Sequence, residues 1–215
     1  MLMKVKKWRW DGLLQKILLF VCLCLPIYYS NAEVAFGGKD VAPPATTEEI
    51  VKNIRAIVDH DDLEDINFYS EKLGVVMKGD EIGEVRIPDA PCGLSSNKNY
   101  RTGVGQYFHF SKIPWYFVAN DGMQLHCGRP YRKEFKQNGE VEIFASARLD
   151  PREICITEGD VKRFFKDGRY SLDRGVFEMH YTSSNDGGIN LEIASTSQKP
   201  QCLIYVGFHQ IKLAK

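Results

Sequence analysis

Gly175-Val176-Phe177-Glu178-Met179-His180-Tyr181, followed by Asn185-Asp186-Gly187-Gly188 and then Ile189-Asn190-Leu191-Glu192-Ile193, is the stretch that decides the fold. In both flanking runs apolar and polar side chains alternate, which is the period of a strand with one buried and one solvated face. The Asp-Gly step between them supplies the positive φ that a tight hairpin requires. Working outward, Cys202 to Phe208 reads as a further strand that His209-Gln210-Ile211-Lys212-Leu213 extends. Upstream, Thr157 with Asp160 three residues on predicts a capped helix through Val161, Phe164 and Phe165 to Gly168.

A second β region precedes this unit. Tyr107-Phe108-His109-Phe110 and Trp115-Tyr116-Phe117-Val118 are aromatic and β-branched runs, and Asn120-Asp121-Gly122 turns into Met123-Gln124-Leu125-His126-Cys127. Residues 128–140 read as a polar connection, Val141-Glu142-Ile143-Phe144 as a strand, and Val75-Val76-Met77 and Val85-Arg86-Ile87 as short strands. Further back, Thr46 and Glu49 have the spacing of a capping box, and Ile50, Val51, Ile54, Ile57 and Val58 recur on one helical face. A second helix is expected from Asp61 or Asp62, burying Leu63, Ile66, Tyr69 and Leu73 and stopping at Gly74. The fold class is therefore α+β: two N-terminal helices, a largely antiparallel sheet of hairpins and one later helix.

The spacing Tyr116-x-x-x-Asn120-Asp121-Gly122 returns as Tyr181-x-x-x-Asn185-Asp186-Gly187. This echo has two readings, a weak tandem repeat with sub-halves 46–140 and 141–215, or good turn chemistry that arose twice.

Residues 1–32 read as a cleaved bacterial signal peptide. Lys4, Lys6, Lys7, Arg9 and Lys16 precede an uncharged apolar run from Ile17 to Tyr29, and Ser30-Asn31-Ala32 offers small residues to a peptidase. A retained anchor is the alternative, but the run is short for a span and contains Pro26. Residues 33–45, with Gly37-Gly38 and Pro43-Pro44, form a flexible lead-in to a single domain over 46–215. The leader holds 5 of the 28 basic residues and 1 of the 28 acidic ones, so the mature chain has 23 against 27. Such an acidic balance gives no electrostatic reason to bind nucleic acid or anionic lipid. The expected location is the periplasm or the medium, with no stable membrane insertion after cleavage.

Cys22 and Cys24 leave with the leader, and Cys92, Cys127, Cys155 and Cys202 remain. An even set in an oxidising compartment predicts two disulfides, and no C-x2-C spacing supports zinc. Of three pairings the local one is preferred, Cys92 with Cys127 and Cys155 with Cys202, because it closes each hairpin onto its own lead-in.

Chemistry is sparse. G-x-S-x-G, H-E-x-x-H and Walker-type loops are absent, and Gly103-Val104-Gly105 is too short for a phosphate loop. The acidic stretch of Asp61, Asp62, Glu64 and Asp65 beside His60 could hold a divalent cation, yet acids near a helix N-terminus already favour its dipole. No metal and no cofactor are expected. His109 and His126 could converge on Cys127 as a thiol nucleophile, although a thiol in a disulfide cannot attack. Glu178 and Glu192 face each other across the second hairpin and could form a carboxylate pair.

The favoured function is an exported protein-binding module, an inhibitor or immunity protein against an envelope toxin or enzyme, whose partner is another envelope protein. Tyr100, Arg101, Trp115, Tyr116, Arg129 and Tyr131 are the candidate contact residues, being the types that dominate binding hot spots; a place in the core of the sheet is the competing assignment. The alternative is a cell-wall or carbohydrate hydrolase using Glu178, Glu192 or His109.

Overall fold

In the structure, a computed structural model that describes residues 35–36, 46–88, 100–118, 131–173, 175–183 and 187–213, Thr46 closes the expected capping box. Its hydroxyl accepts from the Glu49 N–H at 3.2 Å, and Glu49 Oε2 accepts from the Thr46 N–H at 3.1 Å. Helix α1, Thr47–His60, follows and buries Ile50, Val51, Ile54, Ile57 and Val58. Asp61 ends it in the left-handed region at φ 56°, where the N–H still reaches the Val58 carbonyl. Helix α2, Ile66–Leu73, starts later than the sequence reading had it, because Asp65 is the cap and accepts from the Phe68 N–H at 3.0 Å. Gly74 stops α2 at φ 65°, as glycine does without steric cost.

Among the described residues ten strands build one sheet: β1 Ala35–Phe36, β2 Val76–Gly79, β3 Gly83–Pro88, β4 Tyr100–Lys112, β5 Tyr131–Phe135, β6 Glu140–Arg148, β7 Arg169–Asp173, β8 Val176–Thr182, β9 Asn190–Ser195 and β10 Leu203–Leu213. Helix α3, Glu158–Phe164, lies between β6 and β7, and its Thr157–Asp160 capping box is present. Strand order is β1-β2-β4-β5-β6-β10-β9-β8-β7, with β3 beside β4, and every pairing is antiparallel. The α+β class with a largely antiparallel sheet is thus what the chain adopts.

This order contains a symmetry. Strands β2, β4, β5 and β6 make one antiparallel meander after α2, and β7, β8, β9 and β10 make another after α3. The last strands of the two, β6 and β10, pair from Arg148 with Tyr205 to Glu140 with Leu213. Tyr116 follows the second strand of its meander and Tyr181 lies near the end of the second strand of the other, while Asn120-Asp121-Gly122 and Asn185-Asp186 lie outside the described residues. The division expected at 140/141 is displaced, however. A turn at 136–139, with Gly139 at φ 82°, joins β5 to β6, so β6 belongs to the first meander and the halves part after Arg148.

The helices cover one sheet face, and the core lies between them. Tyr69 of α2 meets Tyr131 and Phe208 edge-on, each pair with centroids 5.7 Å apart. Arg55 of α1 reaches the Phe164 carbonyl at 3.3 Å and stands over the rings of Phe165 and Tyr181, 5.4 Å and 4.9 Å away, fastening α1 to the second meander. Cys155 and Cys202 are disulfide-bonded across 47 residues. Cys92 and Cys127, whose bridge the sequence reading proposed, lie outside the described residues, as do Asn120-Asp121-Gly122 and Met123 to Cys127.

Three further segments differ from the sequence reading. Trp115 to Val118 is a turn with one bridge, Phe117 to Leu149, because Phe117 N–H bonds back to Pro114 O at 3.1 Å. The polar connection of 128–140 contains β5, whose charged side chains conceal a buried strand. Helix α3 ends at Phe164 and not at Gly168, and Arg169–Asp173 is the edge strand β7, too exposed to show alternation. Among the described residues no helix is long and apolar enough to cross a membrane.

Candidate functional site

The expected contact residues do not share one surface. Tyr116 and Tyr131 are fully buried, which corrects their assignment to a partner surface. Tyrosine can be buried when its hydroxyl finds an acceptor. Tyr116 donates to the Leu73 carbonyl at 3.3 Å and Tyr131 to the Leu63 carbonyl, so both rings pin α2 and its approach to the sheet. Burial holds both phenols well above their ordinary pKa. Tyr100 and Arg101 open strand β4. Arg129 lies outside the described residues.

Of the three whose side chains are described, Trp115 is the one set out in solvent, at 55% exposure. Its platform is firm. Val118 N–H bonds to Arg148 O and Asp150 N–H to Tyr116 O, both at 2.9 Å, tying the 113–118 turn to the end of β6. The indole rests edge-on against the buried Tyr116 ring, with centroids 5.4 Å apart and planes at 88°. A large apolar side chain is thus displayed on a hydrogen-bonded turn that packs against the core through Tyr116.

A second assembly occupies the sheet face opposite the helices. Register puts Tyr107, Arg132, Phe144, His209, Asn190 and Thr182 in one row across six strands. Arg132 stands over the Phe144 ring at 4.4 Å, and that ring stacks on His209 at 4.3 Å. His209 Nε2 lies 2.9 Å from Glu142 Oε1, and Lys136 Nζ 2.6 Å from Glu142 Oε2. Burial by itself raises the Glu142 pKa, but the hydrogen bonds and the charges of Lys136 and His209 together outweigh it and hold the carboxyl below its usual value.

The next row is Ser146, Gly207, Glu192, His180 and Arg169. Here the two candidate carboxylates are not face to face as the alternation implied: Glu192 is opposite His180, and Glu178 is opposite Ala194, one diagonal step away. Glu192 Oε1 is buried and has no hydrogen-bond partner among the described residues. Burial first, and then the Glu178 charge, push its pKa up against the opposing pull of His180. Tyr205 folds its ring across Gly207, where a Cβ would collide with it, and its phenol is raised by burial and by the Glu192 charge.

His109 does not join this group. It sits on β4, 3.4 Å from Asp80, four strand spacings or about 19 Å from β9. Its other proposed companions, His126 and Cys127, lie outside the described residues. Gly103-Val104-Gly105 is interior to β4, where a Cβ on Gly105 would strike the Lys133 carbonyl of β5.

The acidic stretch is taken up by structural contacts. Asp61 Oδ1 accepts from Ser183 Oγ at 2.8 Å and from the Ile189 N–H at 3.3 Å, and Asp62 meets Lys212 at 2.8 Å. Glu64 lies 3.8 Å from Lys133, and Asp65 pairs with His60 at 3.2 Å while capping α2. Among the described residues no three metal-ligating side chains converge. Sequence reasoning missed Tyr205, Gly207, His209 and Arg132 as a set; only the strand register, which depends on the β6–β10 seam, brings them together. Compared with known proteins, the chain matches no family model, no curated protein and no solved structure.

Proposed function

We propose that the protein acts outside the cytoplasm as a protein-binding module, of the inhibitor or immunity kind, and that Trp115 is its anchor. The observation that carries this reading is the exposed indole on a turn hydrogen-bonded to the end of β6. Ordering such a side chain on binding costs little entropy, and its burial against a partner removes a large apolar area from water. The leader of residues 1–32 and the Cys155–Cys202 bond support an oxidising location. The test is affinity capture from an envelope extract with the wild-type protein and Trp115→Ala. A specific envelope protein enriched by the first and lost with the second, at unchanged thermal stability, supports the reading; identical capture by both, or none, rejects it.

One observation favours a second reading, a carbohydrate or cell-wall hydrolase. Burial raises the Glu192 pKa, as a general acid requires, and Glu178 stands diagonally from it on the adjacent strand as a second carboxylate. Glycan-release assays with Glu192→Gln and Glu178→Gln decide it: activity in the wild type abolished by both changes supports it, and no activity in the wild type removes it.

A further inference from the structure

The internal symmetry makes β2 and β7 counterparts, since each is the outermost strand of its meander. They are finished differently. Strand β2 is covered by β1, through Ala35 with Lys78 and Phe36 with Met77, whereas among the described residues β7 pairs with β8 on one side and ends the sheet on the other. An open edge offers unsatisfied N–H and C=O groups to another strand, and proteins ordinarily blunt it with charged side chains, proline, a bulge or shortness; the two charges on β7, Arg169 and Asp173, are of opposite sign and so do not repel a second copy. The β7 sequence, Arg169-Tyr170-Ser171-Leu172-Asp173, contains neither lysine nor proline, and its pairing with β8 runs without a register shift. Four of its five residues are exposed, among them Leu172 at 69%.

The same five residues are complementary to themselves. When two copies are laid antiparallel about Ser171, Arg169 of each stands opposite Asp173 of the other, and Tyr170 opposite Leu172. Residues opposite each other in an antiparallel pair point to the same sheet face, so two ion pairs form on the polar face and two apolar pairs on the helix face. Neither Arg169 nor Asp173 makes an ion pair with another described residue. Leu172 gains the half-buried Tyr170 ring, which Lys162 and Phe177 already fix in place.

We propose that a second copy of this chain docks on the β7 edge by antiparallel pairing centred on Ser171, joining two sheets into one continuous sheet across a twofold axis. An interface of five residues per copy is small, so the dimer forms in proportion to concentration and weakens with salt. It leaves Trp115, on the first meander, free for the proposed partner.

Sedimentation velocity on the untagged protein, over a roughly hundredfold concentration range, tests this directly. Arg169→Asp alone sets two acidic pairs across the axis and Asp173→Arg alone sets two basic pairs, so each variant by itself is expected to associate about tenfold or more weakly than wild type. Mixed in equal amounts the two variants regain opposite charges at both positions, and dimer returns. A wild type that stays monomeric overturns the proposal, as does association unaffected by either change or a mixture no stronger than its components. Hydrogen exchange on the wild type needs no variant: amides of β7 must slow as concentration rises, and concentration-independent exchange there overturns the proposal as well.

Discussion

Gln210 Oε1 accepts the Leu63 backbone N–H at 2.8 Å, joining the last strand of the sheet to the link between the first two helices. The same side chain donates from Nε2 to the Asp61 carbonyl at 2.9 Å and to the Gly187 carbonyl at 3.1 Å, and it is 1% exposed. Three backbone groups from two distant connections are thus satisfied by one amide. Gln210→Leu removes all three partners at once and is expected to lower stability by about 2–4 kcal/mol, the cost of buried polar groups left unpaired. Urea denaturation measures it; a loss below about 1 kcal/mol would mean that water replaces the amide.

Cys155 and Cys202 close a loop of 47 residues, for which chain entropy assigns a stabilisation of roughly 4 kcal/mol. Dithiothreitol should therefore lower the denaturation midpoint of the wild type. The Cys155→Ala/Cys202→Ala double variant should begin near that lower midpoint and show at most the smaller shift that other thiols contribute.

Trp115 and Tyr116 are adjacent and opposite in role. Trp115→Ala, at an exposed position, should change stability by no more than about 0.5 kcal/mol. Tyr116→Ala, which empties a buried site and removes the donor to Leu73 O, should cost about 3–5 kcal/mol. Thermal melts of the two variants side by side check the contrast.

Glu192 gives a pH signature. Its folded pKa lies above the unfolded value because burial disfavours the anion, so the folded state holds that proton more tightly. The associated stability is fully present below the ordinary glutamate range and is lost as pH rises through the raised pKa. Glu192→Gln stays neutral and escapes that loss. The variant should match the wild type in acid and melt at a higher temperature than the wild type near neutrality; equal melting at both pH values would show that the carboxylate is solvated.

Much of this fold is written in local chemistry. Both capping boxes, the Gly74 stop, the alternation of β8 and β9 and the apolar stripe of α1 are each specified by residues a few positions apart, and each forms where the sequence places it. What local patterns do not encode is which strands meet. The row from Tyr107 to Thr182 exists because β6 pairs with β10, and that pairing is decided by packing of whole meanders. Charged residues misled for a related reason: Arg132 and Glu134 are buried in a sheet whose second face is polar, so β5 shows no solvent-facing alternation. Aromatic residues were ambiguous because Tyr116 and Tyr131 satisfy their hydroxyls internally, while Trp115 is fixed outward by its neighbour.

The covalent link between Cys155 and Cys202 bears on how quickly the two meanders find each other. From Arg148 to its partner Tyr205 the backbone runs 57 residues, but Cys155 comes seven residues after the one and Cys202 three before the other. Once oxidised, the chain brings β6 and β10 together across those seven and three residues in place of 57. The closure entropy saved is about 1.5 kcal/mol, near a tenfold acceleration if that seam forms in the rate-limiting step. Nascent chains that meet an oxidant early would thereby spend less time with unpaired strands exposed to aggregation.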